Sequence, residues 1–299
     1  MKLGAICIAL IFVSLSTAFG QRAIPDDNLA YPVLIDLTNC TAGTVEVKGS
    51  GFYLNSGPAV YLVTARHVLF KAIAEPNSEA QLLCGKATLV SYSKDPIEKE
   101  QNRVSIDLTL LNVAGKVKAH PSHDVAIVEI AKMDDGSNDQ HLAATSHTAK
   151  PSRGVEILHS TKSGLLLAPI DFIKRFNEVL TANDVYVLGY PSSIGLQQAP
   201  QIDYSAPLLR KGIVAGLNHT NNTLVLDCLT FQGNSGGPVL EVTPLGLGNR
   251  IRVIGVISQY VPLSETWVNT TLSYYNMQIH NSGYSIAEPM DPVLELIGK

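Results

Sequence analysis

Apolar residues along this chain come in short runs divided by Gly, Pro, Asn, Asp and Ser, the pattern of many brief strands rather than of long helices. Val45-Glu46-Val47 leads into Gly51-Phe52-Tyr53-Leu54, a turn follows at Asn55-Ser56-Gly57-Pro58, and Ala59 to Thr64 completes a hairpin. Further strands are predicted at 87–92, 104–113, 125–130, 184–188, 209–217, 223–228, 237–241, 252–258 and 283–287. Helical signals are few. Residues 65–71 suit a single turn, and 170–179 suit a small helix in which Phe172, Phe176 and Leu180 fall at helical spacing over a core. Asp291 followed by Pro292 opens a closing helix through Ile297. Strands at this spacing predict an all-β sandwich or barrels. The polar stretch from Met133 to Arg153 is the expected linker.

The N-terminus changes the expected compartment. Lys2, the apolar run Leu3 to Val13 and the small-residue ending Ala18-Phe19-Gly20 predict a signal peptide at 1–20, cleaved near Gly20, and hence an exported protein, secreted or periplasmic. That run is too short to span a bilayer, which takes roughly 20 residues, and no later segment predicts a stable membrane span. The formal charge of −4 comes from scattered residues, apart from Lys174-Arg175 and Arg210-Lys211, which argues against a nucleic-acid surface. Of the cysteines beyond the leader, Cys40 with Cys84 is the first pairing to test. Cys228, in an apolar run, reads as a buried small hydrophobe, although spacing leaves the connectivity open. Sequons stand at Asn39, Asn218, Asn221 and Asn269.

Candidate chemistry centres on Phe231-Gln232-Gly233-Asn234-Ser235-Gly236-Gly237-Pro238, where one serine stands among glycines. A serine hydroxyl becomes a nucleophile when a base takes its proton, and the oxyanion it creates needs converging N–H donors. Gly233 and Ser235 are the candidate donors, since a residue without Cβ takes the φ that turns its N–H inward. Upstream, His67 ends the apolar strand Tyr61 to Thr64, and Asp124 precedes the buried run Val125 to Ile130. Taken singly, each has a plain structural reading: a glycine turn, a satisfied histidine, a strand cap.

Taken together, Gly49-Ser50-Gly51-Phe52, Thr64-Ala65-Arg66-His67, His123-Asp124-Val125-Ala126 and Gly233 to Pro238 resemble the trypsin-like serine peptidase family in their order. The resemblance runs from about Val45 to Ile297. It implies two six-stranded antiparallel β-barrels with a short C-terminal helix, one at 21–140 carrying His67 and Asp124 and one at 141–299 carrying Ser235. It also implies a catalytic His67, Asp124 and Ser235, an oxyanion hole of Gly233 and Ser235 N–H groups, a polypeptide substrate, and no metal or other cofactor. Asn234 stands where digestive members have Asp, so activation by a freed N-terminus is not expected. The segment Asp227 to Ser235 is similar to bacterial HtrA-type peptidases, here without a PDZ domain. Leu229, Thr230, Ile257, Ser258 and Gly283 are the expected pocket residues, small or neutral, which implies a small or apolar P1 residue. Tyr260 is placed to intrude at its mouth.

Two rivals remain at this level. Gly233 to Gly237 also fits the GxSxG of α/β-hydrolases, with His280 downstream, but that elbow is followed by a helix and Pro238-Val239-Leu240 reads as a strand. A trypsin-like fold can also bind a peptide or protein without turnover, if a loop blocks the cleft or the Gly233 peptide is flipped. His120 and His123 are expected on opposite faces of a strand start, not as a metal pair. His141, His147 and His159 read as loop or surface residues. Oligomeric state is not legible.

Overall fold

The computed structural model describes residues 24, 26–40, 47–71, 80–95, 98, 100–133, 141–142, 149–192, 199–245 and 248–299. The signal segment and His147 lie outside them, as does most of the expected linker. Two β lobes pack side by side, and the short helix Asp291–Leu296 closes the chain. This is the two-lobed all-β architecture that the resemblance implies.

The second lobe is a closed six-stranded barrel made by Asp184–Gly189, Leu208–Asn218, Thr223–Asp227, Tyr274–Pro289, Gly248–Asn269 and Pro238–Leu245, in that order around the wall. The first lobe is a curled sheet of ten strands. Its central run is Gln101–Asp107, Cys84–Tyr92, Pro32–Cys40, Lys48–Asn55, Ala59–Thr64 and Ala126–Met133. Pro32–Cys40 is a strand that the sequence reading passed over. Its register sets Cys40 opposite Cys84, and the two form a disulfide, while Cys228 stays free and buried.

Strand period sorts the core. Along Lys48–Asn55, Tyr53 enters the core of the first lobe, while Phe52 and Leu54 on the opposite face enter a second cluster between the lobes. Leu62 and Val63 divide the same way. The interlobe cluster takes Leu188, Leu240 and Val256 from the barrel and Val293 from the closing helix, so an apolar seam locks the lobes beneath the cleft.

Several expectations change. Residues 104–113 are not one strand: Gln101–Asp107 ends where the Asp107 carboxylate accepts from Leu110 N at 2.8 Å and caps the helix Leu108–Val113. The helix expected at 170–179 is two separate turns, Ile170–Phe172 and Phe176–Glu178, because Ile173 between them is extended and bridges Val253. Ala149–Pro151, Val155–His159 and Ala168–Pro169 all pair within the first sheet, so the chain crosses to the barrel after Pro169 rather than near residue 140.

Candidate active site

Strand Ala59–Thr64 runs straight into the single turn Arg66–Leu69, whose Val68 and Leu69 are buried, leaving His67 half exposed at the lobe surface. Asp124 sits in the bend before Ala126–Met133, and its backbone carbonyl accepts from Arg66 N at 3.2 Å. The two side chains meet. Asp124 Oδ2 lies 2.7 Å from His67 Nδ1, and Oδ1 accepts from His67 N at 3.0 Å.

Ser258 contributes a second donor to that carboxylate, its hydroxyl donating to Asp124 Oδ2 at 2.6 Å. Burial pushes the Asp124 carboxyl up, but the hydrogen bonds and charge from His67 and the hydrogen bond from Ser258 outweigh it, so its pKa lies below the ordinary carboxylate value. With Nδ1–H directed at the carboxylate, Nε2 of His67 is left with a lone pair, as a base requires. Sequence placed Ser258 in the pocket and did not anticipate this orienting bond.

Ser235 reaches the same cleft from the barrel. The cleft encloses about 820 Å³ and is lined by His67, Asp124 and Ser235 together, with Thr230, Ile257, Ser258 and Tyr260 among its other walls. In this structure the Ser235 hydroxyl donates to Ser258 O at 3.2 Å. Leu229 and Gly283, expected in the pocket, do not line this cleft; Phe231, Gln232, Gln259, Ile286 and Glu288 do. Ile286 and Glu288 come across from the neighbouring strand Tyr274–Pro289 and carry no local motif, so sequence did not mark them, whereas Phe231 and Gln232 stand in the serine run itself.

The loop bearing Ser235 is held by close backbone approach. At Gly236, φ +87°, an added Cβ would sit 2.1 Å from Ser50 O and from Thr64 Oγ1, so the loop presses directly on the His67 strand. Gly233 has φ +90°, and an added Cβ there would lie 2.2 Å from Tyr190 O. Its flanking peptides are fixed: Gln232 O accepts from Ser192 N at 2.7 Å, and Gly233 O accepts from Ser50 Oγ at 2.6 Å. In a trans peptide N–H and C=O point opposite ways, so the bond at Gln232 O directs Gly233 N–H away from Ser192. Among the described residues neither Gly233 N–H nor Ser235 N–H has a protein acceptor. Asn234 turns its side chain inward, Oδ1 accepting from Phe231 N at 3.0 Å, and Asn234 is buried.

The histidines beside the site correct one expectation. Residues 121–124 bend rather than start a strand, so His120 and His123 do not diverge but stack edge to face at 5.0 Å. Each has its own carboxylate, Glu295 at 3.1 Å and Glu288 at 2.6 Å. Among the described residues no group of His, Cys, Asp and Glu is arranged to hold a metal ion. The strand Pro238–Leu245 follows the serine directly, with no helix as an α/β-hydrolase elbow would need.

A family model for a trypsin-like peptidase domain matches residues 49–244. Among solved structures, the chain is similar to the HtrA-type protease AlgW with tripeptide, at 13% identity and a TM-score of 0.45, over 90% of this chain and 59% of that one. It is also similar to a serine endoprotease from Yersinia pestis, at 16% identity and a TM-score of 0.41, over 90% of this chain and 62% of that one. This chain thus spans about three fifths of the length of those structures. No curated protein matches the sequence.

Proposed function

The chain belongs to the trypsin-like peptidase domain family, and on that premise we propose that it is a serine endopeptidase using His67, Asp124 and Ser235. The observation that carries the reading is the Asp124 carboxylate, held by His67 Nδ1, His67 N and Ser258 Oγ in a cleft shared with Ser235. His67 Nε2 takes the Ser235 proton as the hydroxyl attacks the scissile carbonyl. Asp124 holds the ring in its tautomer and stabilises the cation. The N–H groups of Gly233 and Ser235 receive the oxyanion, and His67 then protonates the leaving amine. Water hydrolyses the acyl-enzyme by the same steps in reverse.

Ser258 O, the present acceptor of the Ser235 hydroxyl, is the acceptor for the substrate N–H that precedes the scissile bond. Substrate then frees Ser235 to turn toward His67. The neutral walls Thr230, Ile257 and Ser258 favour a small or apolar P1 residue. A cleavage profile dominated by basic or acidic P1 residues would reject that preference. The leader implies export, and N-terminal sequencing of the exported protein should begin at Gln21. No helix among the described residues is long and apolar enough to cross a membrane.

The hydroxyl of Ser235 resting on Ser258 O, not on His67, favours a second reading, a fold that binds peptide without turnover. Fluorophosphonate labelling decides between them. Wild type should label while Ser235→Ala and His67→Ala do not; a folded wild type that never labels would establish the binding module instead.

A further inference from the structure

Strand Gly248–Asn269 outruns its barrel. As far as Val256 it pairs with Pro238–Leu245, and at Ile257 it exchanges hydrogen bonds with the nucleophile loop, Gly236 N donating to Ile257 O and Ile257 N to Gly237 O. Beyond that point its ladder, among the described residues, is with Tyr274–Pro289 alone, and that strand leaves Thr223–Asp227 at Tyr284. The result is a projecting two-stranded ribbon, paired from Leu263 with His280 to Asn269 with Tyr274.

A bare ribbon of this kind is marginal in water, and exposed strand edges are normally guarded by lysines and other charges. Here the guards are few. Between Val261 and Gly283 the charged side chain is Glu265, and it lies 3.9 Å from His280 across the ladder. Alternation sets Val268, Tyr275, Met277 and Ile279 on one face, each more than half exposed. Such a surface marks an interaction site.

The strand's own course says what it meets. Ser258, Gln259 and Tyr260, immediately before the ribbon, line the cleft, and Ser258 O is engaged by the Ser235 hydroxyl. The ribbon base is tied to the nucleophile loop, Asn281 Nδ2 donating to Thr230 O at 2.6 Å. An extended chain that pairs antiparallel with this edge therefore has its C-terminal part at Ser235 and its N-terminal part toward Asn269. From Leu263 to Asn269 the edge extends by about 20 Å at roughly 3.3 Å per residue.

We propose that the ribbon is a docking rail for the substrate itself: an extended, uncharged, apolar-rich polypeptide that adds a strand to the free edge of Gly248–Asn269 and is delivered along it to Ser235. This rests on the peptidase reading above. What it adds is a contact with the substrate chain well before the residues at the scissile bond.

Ser235→Ala allows binding to be read without turnover. Two fluorescent peptides are compared by anisotropy, an uncharged Val- and Thr-rich peptide of about twelve residues and its four C-terminal residues alone, long enough and too short, respectively, to lie on the ribbon. The long peptide should bind at least about tenfold more tightly. That advantage should vanish when residues 264–279 are replaced by an Asn-Gly turn, which joins the paired Leu263 and His280, and again in the full-length Val268→Lys/Met277→Lys variant, with the short peptide as internal reference in each protein. Equal affinities in the intact protein, or an advantage that survives both changes, would overturn the proposal. So would a dimer that becomes monomeric on trimming without any length dependence, since the ribbon then covers a second copy. Loss of fluorophosphonate labelling in the wild type bears on the peptidase reading alone, because the anisotropy comparison does not depend on chemistry.

Discussion

Removing one hydroxyl, in Ser50→Ala, tests whether the nucleophile loop is held from behind. Ser50 is completely buried, and its Oγ donates to Gly233 O at 2.6 Å while accepting from Tyr190 N at 2.9 Å. Its backbone N–H also ties the lobes, donating to Ser235 O at 2.8 Å, and within the first lobe Ser50 O accepts from Thr64 Oγ1 at 2.7 Å. Those backbone bonds survive the substitution. The side-chain bonds do not, and two buried groups lose this partner at about 1–3 kcal/mol each, or about 2–6 kcal/mol together. Urea unfolding should show that loss as a lower midpoint with an unchanged slope.

The rate should fall as well. Gly233 O belongs to the residue whose N–H is the proposed oxyanion donor, and loss of one such donor costs about 10²–10³ in kcat, which sets the ceiling. A fall of about tenfold to hundredfold in fluorophosphonate labelling rate is expected, measured in the cold below the unfolding transition. A folded Ser50→Ala protein that labels at the wild-type rate would refute the argument. It would mean that Ser192 on Gln232 O suffices to hold the peptide.

Asp124→Asn should destabilise the protein at pH 7 and progressively less as pH falls: a depressed folded pKa gives stability that is present above the unfolded value of about 3.9 and lost below it. Thermal midpoints of both proteins between pH 7 and pH 3 test this, and a constant gap would refute it. Replacing Cys40 and Cys84 together by Ala opens a closed loop of 44 residues and should lower the unfolding free energy by about 2–4 kcal/mol in denaturant titration. Asp107→Ala removes the cap on Leu110 N and should cost about 1 kcal/mol, with Asp107→Asn recovering most of it.

Legibility varied with the range of the interaction. The hairpin around Asn55 to Pro58, the strand into His67 and the closing helix at Asp291 are set by near neighbours, and sequence located each of them. Residues 104–113 misled because Val, Ile and Leu suit either state, and the carboxylate of Asp107 tipped the second half into a helix. Pro32–Cys40 and the ribbon beyond Ser258 gain strand structure from their partners' register, which no window of local sequence contains.

The same division holds at the site. Sequence alone singled out His67, Asp124 and Ser235, because each stands in a short motif and their order along the chain is itself informative. It could not bring Ser258 Oγ to Asp124, Ser50 Oγ to Gly233 O, or Asn281 to Thr230, contacts that span 134, 183 and 51 positions. Residue type and local spacing mark groups able to react, since a turn or a strand end is decided within a few residues. Which groups orient and hold them depends on how the barrel wall packs against the first sheet, and only burial of the apolar seam between the lobes creates that geometry.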